Sequence, residues 1–352
     1  MAALYGIMGL GDVKNLSVTQ VGQRIVFDAV NTLVDRYNAE LAEMTRLFVE
    51  GETIEPQITY VMPGGGMMQE STEMSRPGAV RPPVGWPVGF EIRDARDQVA
   101  WDDVTLAYAT VEQVQATVNN VMIRHTNWTR FHLMRAVFNN TARTFIDPQF
   151  GNIVVQPLAN GDTIAYPPVI GAVTGATDNH FIASNMASIT DVNNPIPTYR
   201  TELEEHGTAG GGDVVMLVNP TQGAQIKALT NFVDVADSAL RVNQGVEAVY
   251  TGRPVPGTII GYVDGVWVSE WRWMPAGYVY LTSTSSPAPL MKRIDRVALA
   301  GRGELRLVAT QTEFPFIESF WRDRHGYGVA NRLNGVVGQI TGAAYVIPTG
   351  YA

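Results

Sequence analysis

The chain has 352 residues, is 45% hydrophobic and 17% charged, carries a formal net charge of −9 and contains no cysteine. This is the composition of a folded chain, and it excludes disorder and collagen-like structure. Without cysteine there is no disulfide framework, thiolate zinc site, iron–sulfur cluster or cysteine nucleophile, and the acidic balance argues against a basic surface for gripping nucleic acid.

No stretch reaches the ~18 uninterrupted apolar residues of a membrane span. No basic segment followed by an apolar one marks a secretory signal, so the expectation is a soluble, cytoplasmic chain. Lys14, Lys227 and Lys292 are the only lysines, so 22 of the 25 basic residues are arginine. Arginine suits bidentate ion pairs. Codon usage rich in arginine gives the same skew.

Residues 1–17 carry glycines and no clear period, and are expected to form an N-terminal arm. From Val18 the apolar residues Val18, Val21, Ile25, Ala29, Leu33, Tyr37, Leu41, Met44 and Phe48 recur at steps of three or four. That spacing predicts one long amphipathic helix over 18–51, stopped by Gly51 and spanning roughly 50 Å.

Residues 52–98 break this pattern. They hold Pro56, Pro63, Pro77, Pro82, Pro83 and Pro87 and the triple glycine 64–66. Two arms, Ile54–Val61 and Val88–Arg93, alternate like strands on either side. Proline removes ladder donors, so the stretch reads as a long two-stranded excursion and not as a central strand. Such a hairpin lacks a core of its own, and a neighbouring subunit is the obvious surface for it to pack on.

Thr110-Val111-Glu112-Gln113 is a capping box that opens a second long helix over about 110–141. Val114, Val118, Trp128 and Phe131 lie on its expected packing face. Short strands are expected at Thr144–Ile146 and Ile153–Gln156. From 165 to 300 strands and helices interleave. A helix is predicted at Pro197–His206, a buried strand at Asp213–Asn219 and a helix at Thr221–Val233. A hairpin is predicted to turn at Asp264-Gly265, with a further strand at Gly277–Thr282. Leu305–Thr310, Phe314–Phe320, Val336–Ile340 and Ala344–Ile347 return to strand-like alternation. The fold class is α+β.

Catalytic signatures are scarce. There is no HExxH, P-loop or GxSxG. The five histidines are His125, His132, His180, His206 and His325. His206 follows Glu202, Glu204 and Glu205, which is expected to be a solvated acidic helix end and not a metal cluster. His125 and His132 share a helical face and are expected at an amphipathic surface or interface. Asp94, Asp97, Asp102 and Asp103 offer paired carboxylates. They are expected to pair with Arg93 and Arg96 or face water. The sequons at Asn127 and Asn139 fall within a predicted helix and are discounted. The expectation is no catalytic residue, no metal and no cofactor.

The order of parts resembles the major capsid protein of tailed bacteriophages, with its HK97-like fold. Asp213–Leu229 (DVVMLVNPTQGAQIKAL), Gly261–Pro275 (GYVDGVWVSEWRWMP) with the following Gly277–Tyr280, and Phe314–Leu333 (FPFIESFWRDRHGYGVANRL) are similar to that family in detail. The resemblance covers nearly the whole chain. It implies an arm at 1–17, a long N-terminal helix at 18–51 and an extended E-loop at 52–98. It further implies a P-domain from 99–164 and 301–352, with its spine helix at about 110–141, and a mixed α/β A-domain at 165–300.

The resemblance also implies a shell subunit that pairs with itself in pentamers and hexamers and encloses double-stranded DNA without sequence-specific binding or a membrane. A portal and a cement or decoration protein are the implied partners. The first amphipathic helix begins near residue 18, so a fused scaffold domain is not expected; a separate scaffolding protein, or none, is. Residues 52–98 contain no lysine, so the family's Lys–Asn isopeptide weld from the E-loop is not expected either. Arg76, Arg81, Trp86, Arg93 and Arg96 are the expected intersubunit contacts, since tryptophan and arginine anchor interfaces. The implied location is the virion, after assembly in the host bacterial cytoplasm. The competing expectations are an encapsulin-like compartment shell, a hydrolase using Asp94, Asp97 and Asp103, and a tail tube subunit. The two long helices count against the last.

Overall fold

The computed structural model describes residues 3–4, 8–9, 14–60, 73, 86–172, 174–206, 213–236, 250, 252–297, 303–313 and 316–352. In the arm, β1 (Ala3–Leu4) pairs with β2 (Met8–Gly9). The expected 18–51 helix is instead two helices and a strand. α1 (Val18–Val21) is capped by Ser17 in a capping box, and α2 (Gln23–Thr45) follows it. Gly22 separates them with φ 99°, a conformation an L side chain resists. α2 stops at Thr45, and the next apolar residues, Leu47 and Phe48, are both buried. β3 (Val49–Thr53) then runs where the helix was expected to continue.

The hairpin arms are β4 (Gln57–Tyr60) and β5 (Trp86–Gly89), antiparallel with Gln57 opposite Gly89 and Tyr60 opposite Trp86. β6 (Arg93–Asp102) leaves the hairpin and enters a larger sheet. Asp102 caps the short α3 (Asp103–Tyr108). The expected capping box at Thr110 and Gln113 opens α4 (Val111–Phe138), 28 residues and roughly 42 Å long. β7 (Arg143–Asp147) and β8 (Gly151–Val155) form the expected small hairpin.

The remaining elements are β9 (Phe181–Ala183), α5 (Ile196–Glu204), β10 (Val214–Val218), α6 (Pro220–Lys227), β11 (Val233–Asp234), β12 (Thr258–Val263), β13 (Val266–Glu270), β14 (Tyr278–Ser283), β15 (Leu290–Ile294), β16 (Arg306–Glu313), β17 (Phe316–Val329) and β18 (Val336–Gln339). β12 and β13 turn at Asp264-Gly265, both with positive φ. The expected strand at Ala344–Ile347 is not one. That segment is tied down by single bonds, with Tyr345 Oη donating to Phe138 O and Val346 N to Gln339 Oε1.

Two sheets organise the molecule. The first runs β11-β12-β13-β10-β14-β18-β9. β10 is its centre, and all five of its residues are buried. Val214, Met216 and Val218 face a cluster with α5 and α6. Val215 and Leu217 face another, which contains the end of α4, Phe48, Leu290 and Tyr327. A strand covered on both faces must be apolar throughout, which is why this one was legible.

The second sheet is built on the 14-residue β17. β6 pairs along one edge of β17, and β16 then β15 pair along the other, with β3 beyond β15. The sheets cross two expected boundaries. β15 lies within 165–300 yet joins the β17 sheet, and β18 lies within 301–352 yet joins the β10 sheet. A third core packs α1, α2 and the first half of α4 on Leu305 and Trp321. Among the described residues, no helix is long and apolar enough to cross a membrane.

Candidate functional site

The hairpin stands on a closely packed base. Trp86, Val88 and Phe90 are buried with Ile58, Tyr60, Ile164 and Met291. Glu91 is fully buried and takes Arg93 at 3.0 Å and Arg143 at 2.8 Å. Arg293 donates to Phe90 O at 2.8 Å and pairs with Asp147 at 2.8 Å. Gly326 and Gly328 of β17 let this segment lie against the sheet. A Cβ on Gly326 would come within 2.3 Å of Glu91 O, and one on Gly328 within 2.7 Å of Gly89 O. Arginine forks thus hold the base of the β4–β5 hairpin.

Of the expected intersubunit contacts, Arg76 and Arg81 lie outside the described residues. Trp86 is only 5% exposed and packs edge-on against Tyr166 of its own chain. Arg93 and Arg96 lie on β6, beyond the hairpin, where Arg93 pairs with Glu91 and Arg96 with Asp94. On the spine helix, Val118 is buried and Val114 packs partly buried in the cluster with α1 and α2. Trp128 meets His325 of β17 edge-on at 4.8 Å. Phe131 is 36% exposed and stacks on Tyr351, so it packs on the C-terminal segment.

The paired carboxylates are committed to structure. Asp94 accepts from Arg96 and Arg322, and Asp97 from Arg124 at 2.7 Å. Burial would raise the Asp94 carboxyl, but its hydrogen bonds to Arg322 and Arg96 hold it below the usual range. Asp102 accepts from Thr105 N as a helix cap. A carboxylate held low by two guanidinium groups is a poor general acid.

The histidines differ from expectation. His125 and His132 are not at a surface; both are buried. His125 Nε2 lies 2.7 Å from Asp323 Oδ2, and His325 Nδ1 lies 2.6 Å from the same oxygen. His132 sits among Trp128 and Phe131, and its Nδ1 has no partner.

The end of α5 is not a solvated acidic tip. The His206 side chain is only 3% exposed and faces Asp178. Glu204 turns away to pair with Arg200. Glu202 and Glu205, one turn apart, come together with Asp178. Burial, then the charges of Glu205 and Asp178, push Glu202 up to about 7. Burial alone would raise Asp178, but the hydrogen bond from His206 and the charges of His180 and His206 pull it well below its usual range. The sequence signal for this cluster was incomplete, because Asp178 and His180 arrive from a distant segment.

A long helix, α4, packed on the β17 sheet, a mixed α/β sheet and a braced β4–β5 hairpin together define the HK97-like fold. Solved structures bear this out. One from Mycobacterium phage Patience aligns with 99% of this chain and 97% of its own length, at TM-score 0.69 and 21% identity. The mature capsid of bacteriophage PhiM1 aligns over 84% of this chain and 86% of its own, at 0.54 and 11%. The capsid of cyanophage P-SCSP1u aligns over 84% and 87%, at 0.51 and 9%. No protein-family model and no curated protein matches the sequence.

Proposed function

We propose that this chain is the major capsid protein of a tailed bacteriophage. It assembles with itself into pentamers and hexamers of an icosahedral or prolate shell around packaged double-stranded DNA, and it catalyses nothing. The observation that carries this reading is the fold, shared along 99% of the chain with the phage Patience structure. The hairpin gives it a physical logic. Its base is locked by Glu91, Arg143 and Arg293, and a rigid root of this kind suits a hairpin that braces a neighbouring subunit. The net charge of −9 suits a shell that must release its genome, since a strongly basic lining would hold DNA by counterion release. A portal and a scaffolding or cement protein are the partners such a shell takes, and the mature location is the virion.

The test is negative-stain microscopy with light scattering on the chain expressed alone and on particles from infected cells. Closed shells, or rings of five or six, are the expected result. A 38.4 kDa monomer that stays monomeric and is absent from purified particles overturns the proposal.

A further inference from the structure

Asp178 and His180 lie on the extended segment that enters β9. Glu202, Glu205 and His206 lie at the C-terminal end of α5. The fold brings these two segments together around one carboxylate oxygen. His180 Nε2 is 2.7 Å from Asp178 Oδ2, and His206 Nε2 is 3.1 Å from the same atom. Glu205 Oε1 is 3.4 Å from His206 Nε2. One ligand atom from each of Asp178, His180 and His206 falls within 4.8 Å of the others, as does one from each of Asp178, Glu202 and Glu205.

Both rings are held from behind in the same way. His180 Nδ1 donates to Gly335 O at 2.8 Å, and His206 Nδ1 donates to Pro167 O at 2.7 Å. A carbonyl only accepts, so each Nδ1 carries the proton. In the neutral ring the lone pair is then on Nε2, the atom that faces the cluster. This is how proteins orient metal-binding histidines.

A second observation separates this cluster from an ordinary hydrogen-bonded one. The His180 side chain is 0% exposed, and its Nε2 has no hydrogen-bond partner, although Asp178 Oδ2 is close. The approach is short but off the line of a hydrogen bond. The His125–Asp323–His325 cluster is different, since both of its rings make directed hydrogen bonds to Asp323. Around Asp178 only the His206 ring makes such a bond, at 3.1 Å, and His180 Nε2 is left without one.

We propose that Asp178, His180 and His206 form a site for a divalent metal ion of the zinc class, with Glu205 beside His206, and that the ion staples the end of α5 to the segment entering β9. Two imidazole nitrogens and one carboxylate oxygen make the donor set, and Glu205, 3.4 Å from His206, stands where it can complete the four ligands zinc takes. Magnesium and calcium prefer all-oxygen sets, and the absence of thiolates disfavours softer ions. Glu202 is the neighbouring carboxylate on the same helical face. The role is structural: an ion bound to the folded chain alone stabilises it by mass action.

The experiment uses the full chain, stripped with EDTA and titrated with zinc chloride. The expected result is about one zinc retained per chain and a melting midpoint raised by roughly 5 °C when zinc exceeds its dissociation constant about 100-fold. Magnesium chloride leaves the midpoint unchanged. His206→Gln and Glu205→Gln weaken zinc binding at least tenfold while melting near the wild type in EDTA. Cobalt chloride added to the unaltered chain gives visible absorption bands of a four-coordinate site, and this readout needs no variant to fold. A wild-type chain with neither cobalt bands nor retained zinc overturns the proposal. So does His206→Gln binding zinc as tightly as the wild type, or magnesium matching the zinc shift.

Discussion

His125 Nε2 lies 2.7 Å from Asp323 Oδ2, although the two residues are 198 positions apart in the chain. Tyr37 Oη sits 2.8 Å from the other nitrogen of His125, and His325 closes on the same Asp323 oxygen. A line of four polar side chains, Tyr37, His125, Asp323 and His325, therefore runs from α2 through α4 into β17. Burial would raise the Asp323 carboxyl, but the two histidines hold it well below its usual range. Apolar packing is less directional than a hydrogen-bonded contact. A directed contact of this kind sets the rotation of the spine helix.

Removing Asp323 leaves two histidines buried against nothing. Asp323→Ala is expected to cost about 3–5 kcal/mol, the usual consequence of breaking a buried pair from one side. Asp323→Asn costs less, because its amide oxygen still accepts one hydrogen bond. Urea unfolding of dissociated subunits checks both. A loss below about 1 kcal/mol for the alanine variant would show that packing alone orients α4.

His132 gives the subunit an acid sensitivity. Burial pushes its ring down to about 4; the Glu91 charge opposes this, and Arg93, His325 and Arg135 reinforce it. The unfolded ring titrates near 6.5. Between those values the unfolded chain holds more protons than the folded one, so stability falls as pH drops from about 6.5 to 4. The contribution is level above that window and approaches about 1.4 kcal/mol per pH unit within it. His132→Phe removes it. Melting midpoints of wild type and variant should therefore diverge on acidification from pH 7 to 4.5, with the wild type falling faster. Parallel curves would show that His132 titrates normally.

The sequence made some of this architecture plain. The Thr110–Gln113 capping box, the apolar run of β10 and the Asp264-Gly265 turn each depend on neighbours in the chain, and each stands where expected. β17 was legible only in its first part. Its continuation, Arg322-Asp323-Arg324-His325, looks like surface in sequence. Those side chains are partnered by Asp94, His125 and Asp295, which come from remote segments. β3 was mistaken for helix because Val49–Thr53 becomes a strand only beside β15, more than two hundred residues later. The His206 cluster failed for the same reason. Half of it arrives on the segment before β9, which the parallel pairing of β9 with β18 puts in place.

Gly326 lets the hairpin base lie on β17. An alanine there must displace backbone, since Glu91 O would be 2.3 Å from the new Cβ. Gly326→Ala is expected to keep the circular dichroism of the subunit while lowering particle yield at least tenfold, because the loop then projects from a displaced root. Gly51→Ala is the control, with Met291 no closer than 3.9 Å. Wild-type particle yield from Gly326→Ala would show that the root tolerates the shift and that the hairpin's direction does not control assembly.

The last expectation concerns what holds neighbouring subunits together. An isopeptide weld requires a lysine amine to attack a neighbour's amide carbonyl and release ammonia. Residues 52–98 supply no lysine, and the whole chain has three. Lys292 is engaged within its own chain, donating to Gly303 O at 2.6 Å with Glu52 3.4 Å away. Lys227, at the end of α6, lies 3.6 Å from Glu270. Lys14 sits at the end of the arm. None lies within residues 52–98, the expected E-loop, so the attacking group is missing from that segment. Particles boiled in detergent should therefore give a single 38.4 kDa species by electrophoresis and mass spectrometry. A ladder at multiples of that mass, persisting after full denaturation, would show that a covalent bond forms from one of these three lysines. Strength would then no longer rest on non-covalent overlap alone.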